Sequence, residues 1–411
     1  MDVKKILYLT YDGLTDPLGQ SQILPYVKGL SKFGYKFTIL SCDKPNRYMA
    51  LKDTILDLCD EDNIEWVSFP FTNKYSIFSK IIDRRKFKKI AFQLYKKNKY
   101  DLIHCRSYIS AEIGLKLKQK FSSKFLFDMR GLWADEKVDG GNWNLNNPIF
   151  ILIYKYYKNK ERQFLENANH TVSLTEVGKN EINTWGHLKN NLIKITVIPC
   201  CVDTLYFDAS TINFDFKNGL QLELGICEGN FVISYLGSIG TWYMLSEMLD
   251  FFIELLKYKP EAKFLFITSD NQNEIISKAR EKNIDLLKIV IRSAERSQVP
   301  TLISLSQLSI FFIKPTYSKI SSSPTKQAEI MAMGVPIITN YKIGDVDIIF
   351  SKINAGFVCK NFDSENYNLA IEKIIKQPFN STEVVNFAKK NFSLQIGVDK
   401  YYKIYEEIFN Y

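Results

Sequence analysis

Residues 5–40, KILYLTYDGLTDPLGQSQILPYVKGLSKFGYKFTIL, contain the pattern that decides the fold. The apolar run Lys5–Thr10 predicts a buried strand. The loop Tyr11–Gln20 carries two glycines and a proline, and a helix is predicted from Ser21 to Phe33. The next apolar run, Lys36–Leu40, predicts a second strand. A strand–loop–helix–strand unit of this kind is the repeating element of parallel α/β sheets.

The same alternation continues through both halves of the chain. In the first half, further strands are predicted at Trp66–Phe69, Leu102–Cys105, Phe125–Asp128, His170–Ser173 and Ile195–Pro199. In the second half, strands are predicted at Phe231–Leu236, Lys263–Thr268, Lys288–Ile291, Leu308–Ile313, Pro336–Thr339 and Gly356–Val358. We therefore expect an α/β fold of two Rossmann-like, doubly wound parallel-sheet domains that face each other across a cleft.

The predicted domain limits follow from where the pattern restarts. The first domain is expected at residues 1–200 and the second at residues 201–385. Residues 386–411 are predicted to be helical and to pack back toward the first domain. Open α/β sheets bind ligands beyond the carboxyl ends of their strands, so both domains are expected to carry a site there.

The composition excludes several classes of protein. With 46% apolar residues in 411, the chain is neither disordered nor fibrous. Its seven cysteines are odd in number and form no C-x-x-C pair, which argues against a disulfide framework or a cysteine zinc site. Met1–Leu9 shows no signal-peptide pattern, and the longest apolar stretch, Pro148–Tyr154, is too short to span a bilayer. We expect a cytoplasmic protein.

The charge is unevenly distributed. Residues 1–200 hold 32 Lys and Arg against 21 Asp and Glu, whereas the remainder holds 22 against 24. The densest basic segment, Arg84–Lys99, has eight positive side chains and no acid. Read as a helix, it has an apolar stripe and a basic remainder, which suits either an anionic membrane surface or an ordinary packed helix. The stripe consists of Phe87, Ile90, Ala91, Leu94 and Tyr95. The basic side chains assigned to a membrane patch are Arg84, Arg85, Lys88 and Lys89.

The segment Lys314–Pro336, KPTYSKISSSPTKQAEIMAMGVP, contains the strongest candidate site. Ser323 is predicted to cap a helix whose first residue is Pro324. The N–H groups at such a helix start bind anions, and Lys326 adds a positive charge. Glu329 follows about one and a half turns later, where a carboxylate suits sugar hydroxyls better than phosphate. A well-capped structural helix is the alternative. The polar residues that favour a phosphate or diphosphate here are Ser321, Ser322, Ser323, Thr325 and Lys326.

Glycine-bearing loops follow the first predicted strand of each domain. In the second domain, Gly237 and Gly240 directly follow a strand, so that backbone amides can approach a ligand phosphate. No acid stands at the end of the next strand, which argues against a nicotinamide enzyme. The loop Gly13–Gln20 is the corresponding feature of the first domain.

A cluster of titratable residues follows two predicted strands of the first domain, in the segments IHCRSYIS and DMRGLWADE. Since both strands should end at the same edge of the sheet, their acids and bases suit proton transfer or the stabilisation of a leaving phosphate. Ion pairs that only organise the loops are the alternative. The residues are His104, Arg106, Asp128, Arg130, Asp135 and Glu136.

These motifs resemble those of the GT-B glycosyltransferases, specifically the retaining family four of the bacterial surface-polysaccharide type. The resemblance covers almost the whole chain. GLTDPLGQSQILPYVKGL resembles the family's acceptor loop and first helix, and IHCRS its H-x-H strand end. VIPCCVDTLYF at Val197–Phe207 resembles the interdomain signature, and YLGSIGTWY the start of the donor domain. SSSPTKQAEIMAMGVPIITN resembles the donor-binding E-x7-E segment, and DMRGLWADE the surface-polysaccharide variant.

The resemblance implies a retaining transferase that moves a hexose-type sugar in polysaccharide biosynthesis. The nucleotide-sugar donor would bind in the C-terminal domain, and a lipid-linked or glycan acceptor in the N-terminal domain. No metal or other cofactor is expected, because helix dipoles and basic side chains neutralise the diphosphate. Retention would follow from front-face attack with the leaving phosphate as base, without the nucleophile that retaining glycosidases use.

Site residues are carried over by position. Glu329 would bind the donor ribose, Gly237 would lie opposite Lys326 at the diphosphate, and Arg292 with Ser293 would border the nucleobase. The predicted catalytic residues are Asp128, Arg130, Glu136, His104 and Arg106. The predicted donor-binding residues are Gly237, Ser238, Gly240, Arg292, Ser293, Ser321, Ser322, Ser323, Pro324, Thr325, Lys326 and Glu329. The predicted acceptor-loop residues are Gly13, Asp16, Gly19 and Gln20.

The chain also departs from the family pattern. Ser321 replaces the first glutamate of E-x7-E, and Ser238 replaces the basic residue that usually follows the donor-domain glycine. Lys326, with Arg292 or Arg296, is expected to compensate for the missing charge. Two further arginines, at positions 106 and 130, stand where the family often has histidines, which leaves the catalytic base open.

Two other functions remain open at this point. A GT-B sugar-nucleotide epimerase would use the same donor without an acceptor. A lipid- or nucleic-acid-binding protein without enzymatic activity would use the basic first half. The second half is slightly acidic and no nucleic-acid-binding motif is present, so no specific nucleic acid is expected. Anionic lipid would attract the basic half, which makes peripheral attachment to the inner face of the membrane a further hypothesis.

Overall fold

The computed structural model describes residues 3–72, 77–188, 193–377 and 379–410. The chain forms two compact units. The first consists of Met1–Pro199 with Leu394–Tyr411, and the second of Cys200–Ser393. Each unit is built around one parallel sheet.

In the first unit, the described residues form a sheet of seven strands in the order β3-β2-β1-β4-β5-β6-β7, with every neighbouring pair parallel. The strands are β1 (Lys5–Thr10), β2 (Lys36–Asp43), β3 (Glu65–Pro70), β4 (Leu102–Arg106), β5 (Lys124–Asp128), β6 (His170–Ser173) and β7 (Ile195–Val197). The helices are α1 (Pro17–Gln22), α2 (Leu24–Ser31), α3 (Pro45–Asp60), α4 (Ile77–Asn98), α5 (Ser107–Phe121), α6 (Trp133–Asp139), α7 (Pro148–Asn167) and α8 (Glu176–Thr184).

The register of the first sheet aligns the ends of three strands. Thr10 of β1 pairs with Arg106 of β4, which in turn pairs with Asp128 of β5. The strand order reverses between β1 and β4, the point at which doubly wound sheets open a crevice for ligands. The polar residues at these strand ends therefore share one edge of the sheet.

In the second unit, the described residues form a sheet of six parallel strands in the order β10-β9-β8-β11-β12-β13. The strands are β8 (Val232–Leu236), β9 (Lys263–Ile267), β10 (Ile289–Arg292), β11 (Leu308–Ile310), β12 (Ile337–Asn340) and β13 (Gly356–Cys359). The helices are α9 (Phe214–Glu223), α10 (Leu245–Tyr258), α11 (Gln272–Glu281), α12 (Val299–Ser304), α13 (Thr325–Ala332), α14 (Val346–Lys352), α15 (Ser364–Lys376) and α16 (Ser381–Phe392). The last helix, α17 (Leu394–Phe409), belongs to the first unit and packs against α2.

The predicted α/β fold class is confirmed, and each of the thirteen predicted strands corresponds to a strand of the two sheets. The strands were recognisable because both faces of the sheet are covered, which makes their sequences continuously apolar. All five residues of β8, for example, are buried. The observed ends differ from the predicted ones by three residues or fewer.

The predicted helix from Ser21 to Phe33 was wrong as a single element. It is two helices, α1 and α2, which meet at Ile23, and the first already begins at Pro17 inside the predicted loop. Pro25 explains the break, because proline has no N–H to donate to the preceding turn and its ring clashes with the carbonyl there.

The C-terminal helices also differ from their predicted grouping. α16 lies wholly in the second unit, where it packs against α13, so the change of unit occurs after Ser393 rather than at residue 386. Of the two predicted C-terminal helices, α16 and α17, only α17 lies in the first unit.

The apolar stripe of the basic helix α4 faces inward. Phe87, Ala91 and Tyr95 are buried, while Ile90 and Leu94 are partly buried. Phe87 contacts the rings of Phe69 and Tyr11. Of the two interpretations of this stripe, the structure agrees with the ordinary packed helix and not with a stripe on lipid, because its apolar area is already used in the core.

Candidate functional site

The ammonium of Lys326 lies at the centre of the candidate donor site in the second unit. It is buried, donates a hydrogen bond of 3.1 Å to Tyr235 Oη, and lies 3.8 Å from the ring centroid of Tyr243. It also lies 3.0 Å from the position that a β-carbon on Gly237 would occupy. Burial lowers the pKa of Lys326 from 10.5 to about 7, although the charges of nearby carboxylates oppose this shift. The side chain therefore places an amino group, charged mainly below about pH 7, at the loop that contains Gly237 and Gly240, here called the glycine loop.

Two carboxylates act on the charge of Lys326, and both are engaged by other groups. Glu329 is buried and pairs with Arg296 at 2.6 Å. Asp270 accepts a 2.6 Å hydrogen bond from the backbone N–H of Ile239. The ammonium thus lies in an aromatic surrounding in which a bound diphosphate could supply its counter-charge.

The glycine loop is held from both sides. The N–H of Gly237 donates to the carbonyl of Ile267, and its φ of +113° is a conformation that favours glycine. Further along, Tyr243 forms an isolated antiparallel bridge with Ile313. The following helix, α10, begins only at Leu245, because residues 242–244 are used in pairing with residues 312–314.

The start of α13 differs by one residue from the prediction. Pro324 occupies the N-cap position and the helix begins at Thr325, so Ser323 is not the cap. The hydroxyl of Ser323 instead accepts a hydrogen bond from the Cys200 N–H at 3.1 Å, and that of Ser321 donates to the Ser318 carbonyl. These two hydroxyls therefore stabilise local structure. The first-turn N–H groups of the helix remain a candidate for anion binding.

Glu329 and Arg296 form a second part of this site. The Arg296 guanidinium lies 4.7 Å from the ring centroid of Phe207 while its Nη1 contacts the Glu329 carboxylate. From the sequence, Arg292 or Arg296 was expected to compensate for the missing charge at the diphosphate, and in the structure Arg296 pairs with Glu329. A buried carboxylate held in this way presents its second oxygen as an acceptor for a hydroxyl group.

Arg292 and Ser293 lie at the end of β10, next to each other in the chain but with different partners. Arg292 pairs with Glu223 at 2.7 Å, and Ser293 shares a 3.1 Å hydrogen bond with Ser269. The strand ends of β8, β9 and β10 are in register, with Leu236, Ile267 and Arg292 aligned. Both predicted nucleobase residues therefore lie at the same sheet edge as the glycine loop, and Arg292 is already neutralised.

The predicted catalytic cluster of the first unit surrounds Asp128. This carboxylate is buried, with Arg130 Nη1 at 3.8 Å, Arg106 Nη1 at 3.9 Å and His104 Nε2 at 3.7 Å. Burial alone would raise its pKa, but Arg130, His104 and Arg106 together lower it below the ordinary value. Asp128 is therefore an ionised, weakly basic group that holds two arginines and a histidine at the strand ends.

His104 is a buried residue of this cluster. Its Nδ1 lies 2.8 Å from Tyr405 Oη on α17, and its ring contacts that of Tyr8. Burial is the main cause of a lowered pKa, which the Asp128 carboxylate opposes. The imidazole is consequently neutral near pH 7.

Asp135 and Glu136 begin the short helix α6 but do not share one environment. Asp135 is buried and accepts hydrogen bonds from Tyr154 and Lys158, at 2.7 and 3.0 Å. Lys158 also pairs with the buried Glu161, which accepts a hydrogen bond from Tyr108. Asp135 thus anchors α6 to α7. Glu136 is only half-buried and stays a candidate for contact with substrate.

The predicted acceptor loop is organised by Asp43 at the end of β2. This buried carboxylate accepts hydrogen bonds from the N–H and hydroxyl of Thr15 at 3.0 and 2.8 Å. A β-carbon on Gly13 would meet its Oδ1 at 2.7 Å, and one on Gly19 would meet the Gly13 carbonyl at 2.2 Å. These glycines are therefore required by close packing. Asp16 pairs with surface cations, and Gln20 donates to the Thr15 carbonyl.

Several residues of both sites were missed by sequence reasoning. Asp12 contacts Arg106 at 3.3 Å, and its position directly after β1 was the signal that could have revealed it. Lys319 lies in a 3₁₀ turn with its ammonium 3.6 Å from the Trp242 ring centroid, a contact between separate segments that no local pattern announces. The aromatic and carboxylate residues missed in the same way are Tyr8, Tyr405, Asp43, Tyr235, Tyr243, Phe207 and Asp270.

The residues of the basic patch lie on α4 with different exposures. Arg84 is partly buried and donates to Tyr157 Oη on α7, whereas Arg85, Lys88 and Lys89 are exposed. Within the described ranges of the chain, no helix has both the length and the apolar composition of a membrane span. In the same part of the chain, no three His, Cys, Asp or Glu side chains are grouped so as to hold a metal ion.

Comparison with known proteins connects both units to sugar transfer. Residues 22–205 match the family model described as Glycosyltransferase Family 4, and residues 220–391 match Glycosyl transferases group 1. A comparison with curated proteins gives no match.

Solved structures with the same fold cover the chain from end to end. A glycosyltransferase from Rickettsia africae is 18% identical with a TM-score of 0.70, and covers 100% of this chain and 99% of its own. Sucrose-phosphate synthase from Thermosynechococcus elongatus is 14% identical with a TM-score of 0.78, at 99% coverage of both chains. HepE from Anabaena, in complex with UDP-glucose, is 14% identical with a TM-score of 0.71, at 99% and 100% coverage.

Because these identities are low, the solved structures support the fold alone. The two family models, which together span most of the residues, support glycosyl transfer. The chain belongs to the glycosyltransferases of the GT-B fold.

Proposed function

We propose that this protein is a retaining glycosyltransferase that moves a hexose-type sugar from a nucleotide-sugar donor to a lipid-linked or glycan acceptor, in polysaccharide biosynthesis. The observation that carries the donor half is the placement of Lys326. Its ammonium is buried against Gly237, at the carboxyl edge of a parallel sheet and in the first turn of α13. A diphosphate fits this combination of a cation, a glycine loop and a helix N-terminus.

The chemistry assigned to the second unit is stabilisation of the leaving group. As the bond between the sugar and the diphosphate breaks, negative charge develops on the β-phosphate. The Lys326 ammonium and the first-turn N–H groups of α13 would oppose that charge, which requires no metal ion for this step. Glu329, whose carboxylate is fixed by Arg296, would accept a hydrogen bond from a ribose hydroxyl.

The chemistry assigned to the first unit follows from the charge around Asp128. A carboxylate with a lowered pKa, enclosed by Arg106 and Arg130, is a poor base. We therefore assign proton acceptance to the leaving phosphate, in line with front-face attack and retention. Arg106 and Arg130 would orient the acceptor or the phosphate, with Asp128 as their positioning residue.

The acceptor class is inferred from the first unit as well. Residues 1–200, which make up most of this unit, carry a net charge of +11, against −2 for residues 201–411, and this favours an anionic or membrane-bound acceptor. The loop fixed by Asp43, with Gly13 and Gly19 in tight packing, would form the floor of the acceptor site. Peripheral attachment to the inner face of the membrane is part of this proposal.

The experiment is a thermal-shift screen of the full chain with UDP, GDP, ADP and CMP and their sugars, followed by donor-hydrolysis assays. UDP-glucose is the first donor to test, because HepE is solved with it. A bound donor raises the melting temperature by mass action. Lys326→Met is expected to remove this shift, and Lys326→Arg to retain part of it.

Lys373→Met is the matched control. Lys373 also lies over an aromatic ring and donates to a backbone carbonyl, but on α15 and outside the predicted site. The control should keep the full shift. If no nucleotide stabilises the wild-type protein, or if Lys326→Met binds as tightly as wild type, the proposal fails. Conversion of the donor to an epimer without any acceptor would assign the protein to the epimerases instead.

A further inference from the structure

The first turns of α4 expose apolar side chains on the face opposite the core. Ile81 is 41% exposed and Ile82 is 59% exposed, whereas Phe87, one to two turns later, is buried. Arg85 and Lys88 are exposed on the same outward face. Two exposed isoleucines at the start of a basic helix indicate an interaction surface rather than a part of the core.

A second exposed apolar stripe lies at the start of α7. Ile149 is 61% exposed and Leu152 is 68% exposed, and Tyr156 follows on the same side. The spacing i, i+3, i+7 places the three residues on one face of the helix. This stripe does not face the core, which α7 contacts through Phe164 and Leu165.

The two helices that carry these apolar residues, α4 and α7, contact each other. The Arg84 guanidinium donates to Tyr157 Oη and lies 5.6 Å from the centroid of the Tyr157 ring. Ile81 lies one turn before Arg84, and Leu152 lies between one and two turns before Tyr157. Tyr156, in the stripe, is 45% exposed and donates a hydrogen bond of 3.4 Å to Glu112 on α5. The exposed apolar residues therefore lie in the first turns of two helices that are joined by the Arg84–Tyr157 contact.

The charged side chains around these exposed apolar residues favour one class of partner. Arg85, Lys88 and Lys89 on α4 and Lys155 on α7 are exposed beside the apolar residues. A second group of exposed apolar residues, near α9 in the second unit, has acidic neighbours instead. Its apolar residues are Leu205, Phe214, Phe216 and Leu222, and its acids are Asp203, Asp208, Asp215 and Glu223. Basic side chains around an apolar centre complement anionic phospholipid, which has an acyl interior and phosphate headgroups.

The position of the surface fits a membrane-bound acceptor. Tyr11 directly follows β1 at the predicted acceptor edge, and its ring lies 5.9 Å from that of Phe87 on α4. It also lies 6.3 Å from Phe71, after β3. Phe87 lies in the middle of α4, and Thr72, next to Phe71, donates to Asp83 in the second turn, so the first half of α4 adjoins this edge of the sheet. A bilayer on this face would hold a lipid-carried acceptor near that edge.

We propose that the starts of α4 and α7 form a docking surface for an anionic phospholipid bilayer. Ile81, Ile82, Ile149 and Leu152 enter the boundary between headgroups and acyl chains, while Arg85, Lys88 and Lys89 contact headgroup phosphates. The surface differs from the predicted one, whose apolar stripe is buried. The inference rests on the proposed function for its purpose, since it assigns the acceptor to a membrane, but its physical test does not use the donor.

The test is co-sedimentation of the full chain with vesicles of phosphatidylcholine and of an equimolar mixture of phosphatidylcholine and phosphatidylglycerol. Wild type should bind the mixed vesicles and bind neutral ones far more weakly. The double variant Ile82→Glu/Leu152→Glu should bind the mixed vesicles at least tenfold more weakly, because it removes two apolar contacts and adds two like charges. Lys88→Gln and Lys89→Gln should each weaken binding about fivefold.

Leu369→Glu is the matched control, since Leu369 is 54% exposed on α15 of the second unit. It should bind vesicles as wild type does. All substituted side chains are exposed, so melting temperatures and nucleotide-induced shifts should equal those of wild type, which separates this inference from the donor assignment. Equal vesicle binding by the double variant and wild type would overturn the proposal. So would self-association of the wild-type chain, measured by light scattering, that the double variant abolishes while vesicle binding persists.

Discussion

The ammonium nitrogen of Lys326 lies 3.0 Å from the point where a β-carbon on Gly237 would stand. The two residues are far apart in the chain, in the first turn of α13 and directly after β8. The space that glycine leaves empty is thus bordered by a buried cation. This pair is the most specific feature of the candidate donor site, and the first predictions concern it.

Gly237→Ala is expected to weaken donor binding and to destabilise the fold. The φ of +113° is unfavourable for alanine, at a cost of about 1–3 kcal/mol, and the new methyl group would displace the Lys326 ammonium. Thermal unfolding and nucleotide titration measure the two effects. Gly240→Ala is the control for stability, because no heavy atom lies within 4 Å of its β-carbon position. Equal melting temperatures for the two variants would contradict the assigned strain.

Donor affinity is expected to fall as pH rises above about 7. Burial lowers the pKa of Lys326 from 10.5 to about 7, so the free site loses its positive charge in this range. A diphosphate favours the charged form, and binding then requires uptake of a proton. The dissociation constant should rise by up to about tenfold per pH unit above pH 7, and stay constant below it. Titration calorimetry in buffers of different ionisation enthalpy measures the proton uptake.

The same shift affects stability with a defined sign. Between about pH 7 and 10.5 the unfolded chain binds more protons at this residue than the folded chain, so the contribution of Lys326 to the free energy of unfolding rises with pH.

Lys326→Arg is the control for the pH dependence of donor affinity. Its side chain stays charged and should remove the pH dependence of donor binding. A wild-type affinity that does not change between pH 6 and 9 would contradict the prediction.

Glu329→Ala is expected to remove discrimination between ribonucleotides and deoxyribonucleotides. If Glu329 accepts a hydrogen bond from a ribose hydroxyl, wild type should bind UDP more tightly than its 2′- or 3′-deoxy analogue by roughly tenfold. In the variant this ratio should approach one. Arg296→Ala, which removes only the partner of Glu329, should reduce the ratio without abolishing it. An unchanged ratio in Glu329→Ala would exclude the ribose contact.

Asp128→Asn is expected to abolish transfer and to lower the free energy of unfolding by about 3 kcal/mol. The buried carboxylate is the anion between Arg106 and Arg130, beside the neutral His104, and its loss leaves the two guanidinium charges without compensation. Asp12→Asn is the stability control. Asp12 also contacts Arg106, but it is half exposed, so the expected loss is below about 1 kcal/mol. Chemical unfolding of both variants gives the comparison, and equal losses would contradict the central role of Asp128.

The candidate sites were predictable from the sequence to the extent that their residues follow strands. Arg106 and Asp128 end β4 and β5, and parallel strands end at a common edge, so their meeting was expected. The partners of Arg296 could not be predicted in this way. The family resemblance left Arg292 or Arg296 to compensate for a missing charge at the donor phosphate, whereas the structure pairs Arg296 with Glu329, because side-chain pairing depends on how a 3₁₀ turn and a helix pack.

The sequence by itself determined the alternation of strands and helices, the thirteen strands and the charge asymmetry, since each depends on hydrophobic periodicity or on composition. Only the tertiary structure decided which charges are neutralised and which apolar faces are covered. In the structure, the stripe of α4 around Phe87 is buried, Ile82 is exposed, and Lys326 lies among aromatic rings. The reason is that burial and pairing arise from contacts between segments distant in the chain, which local patterns do not encode.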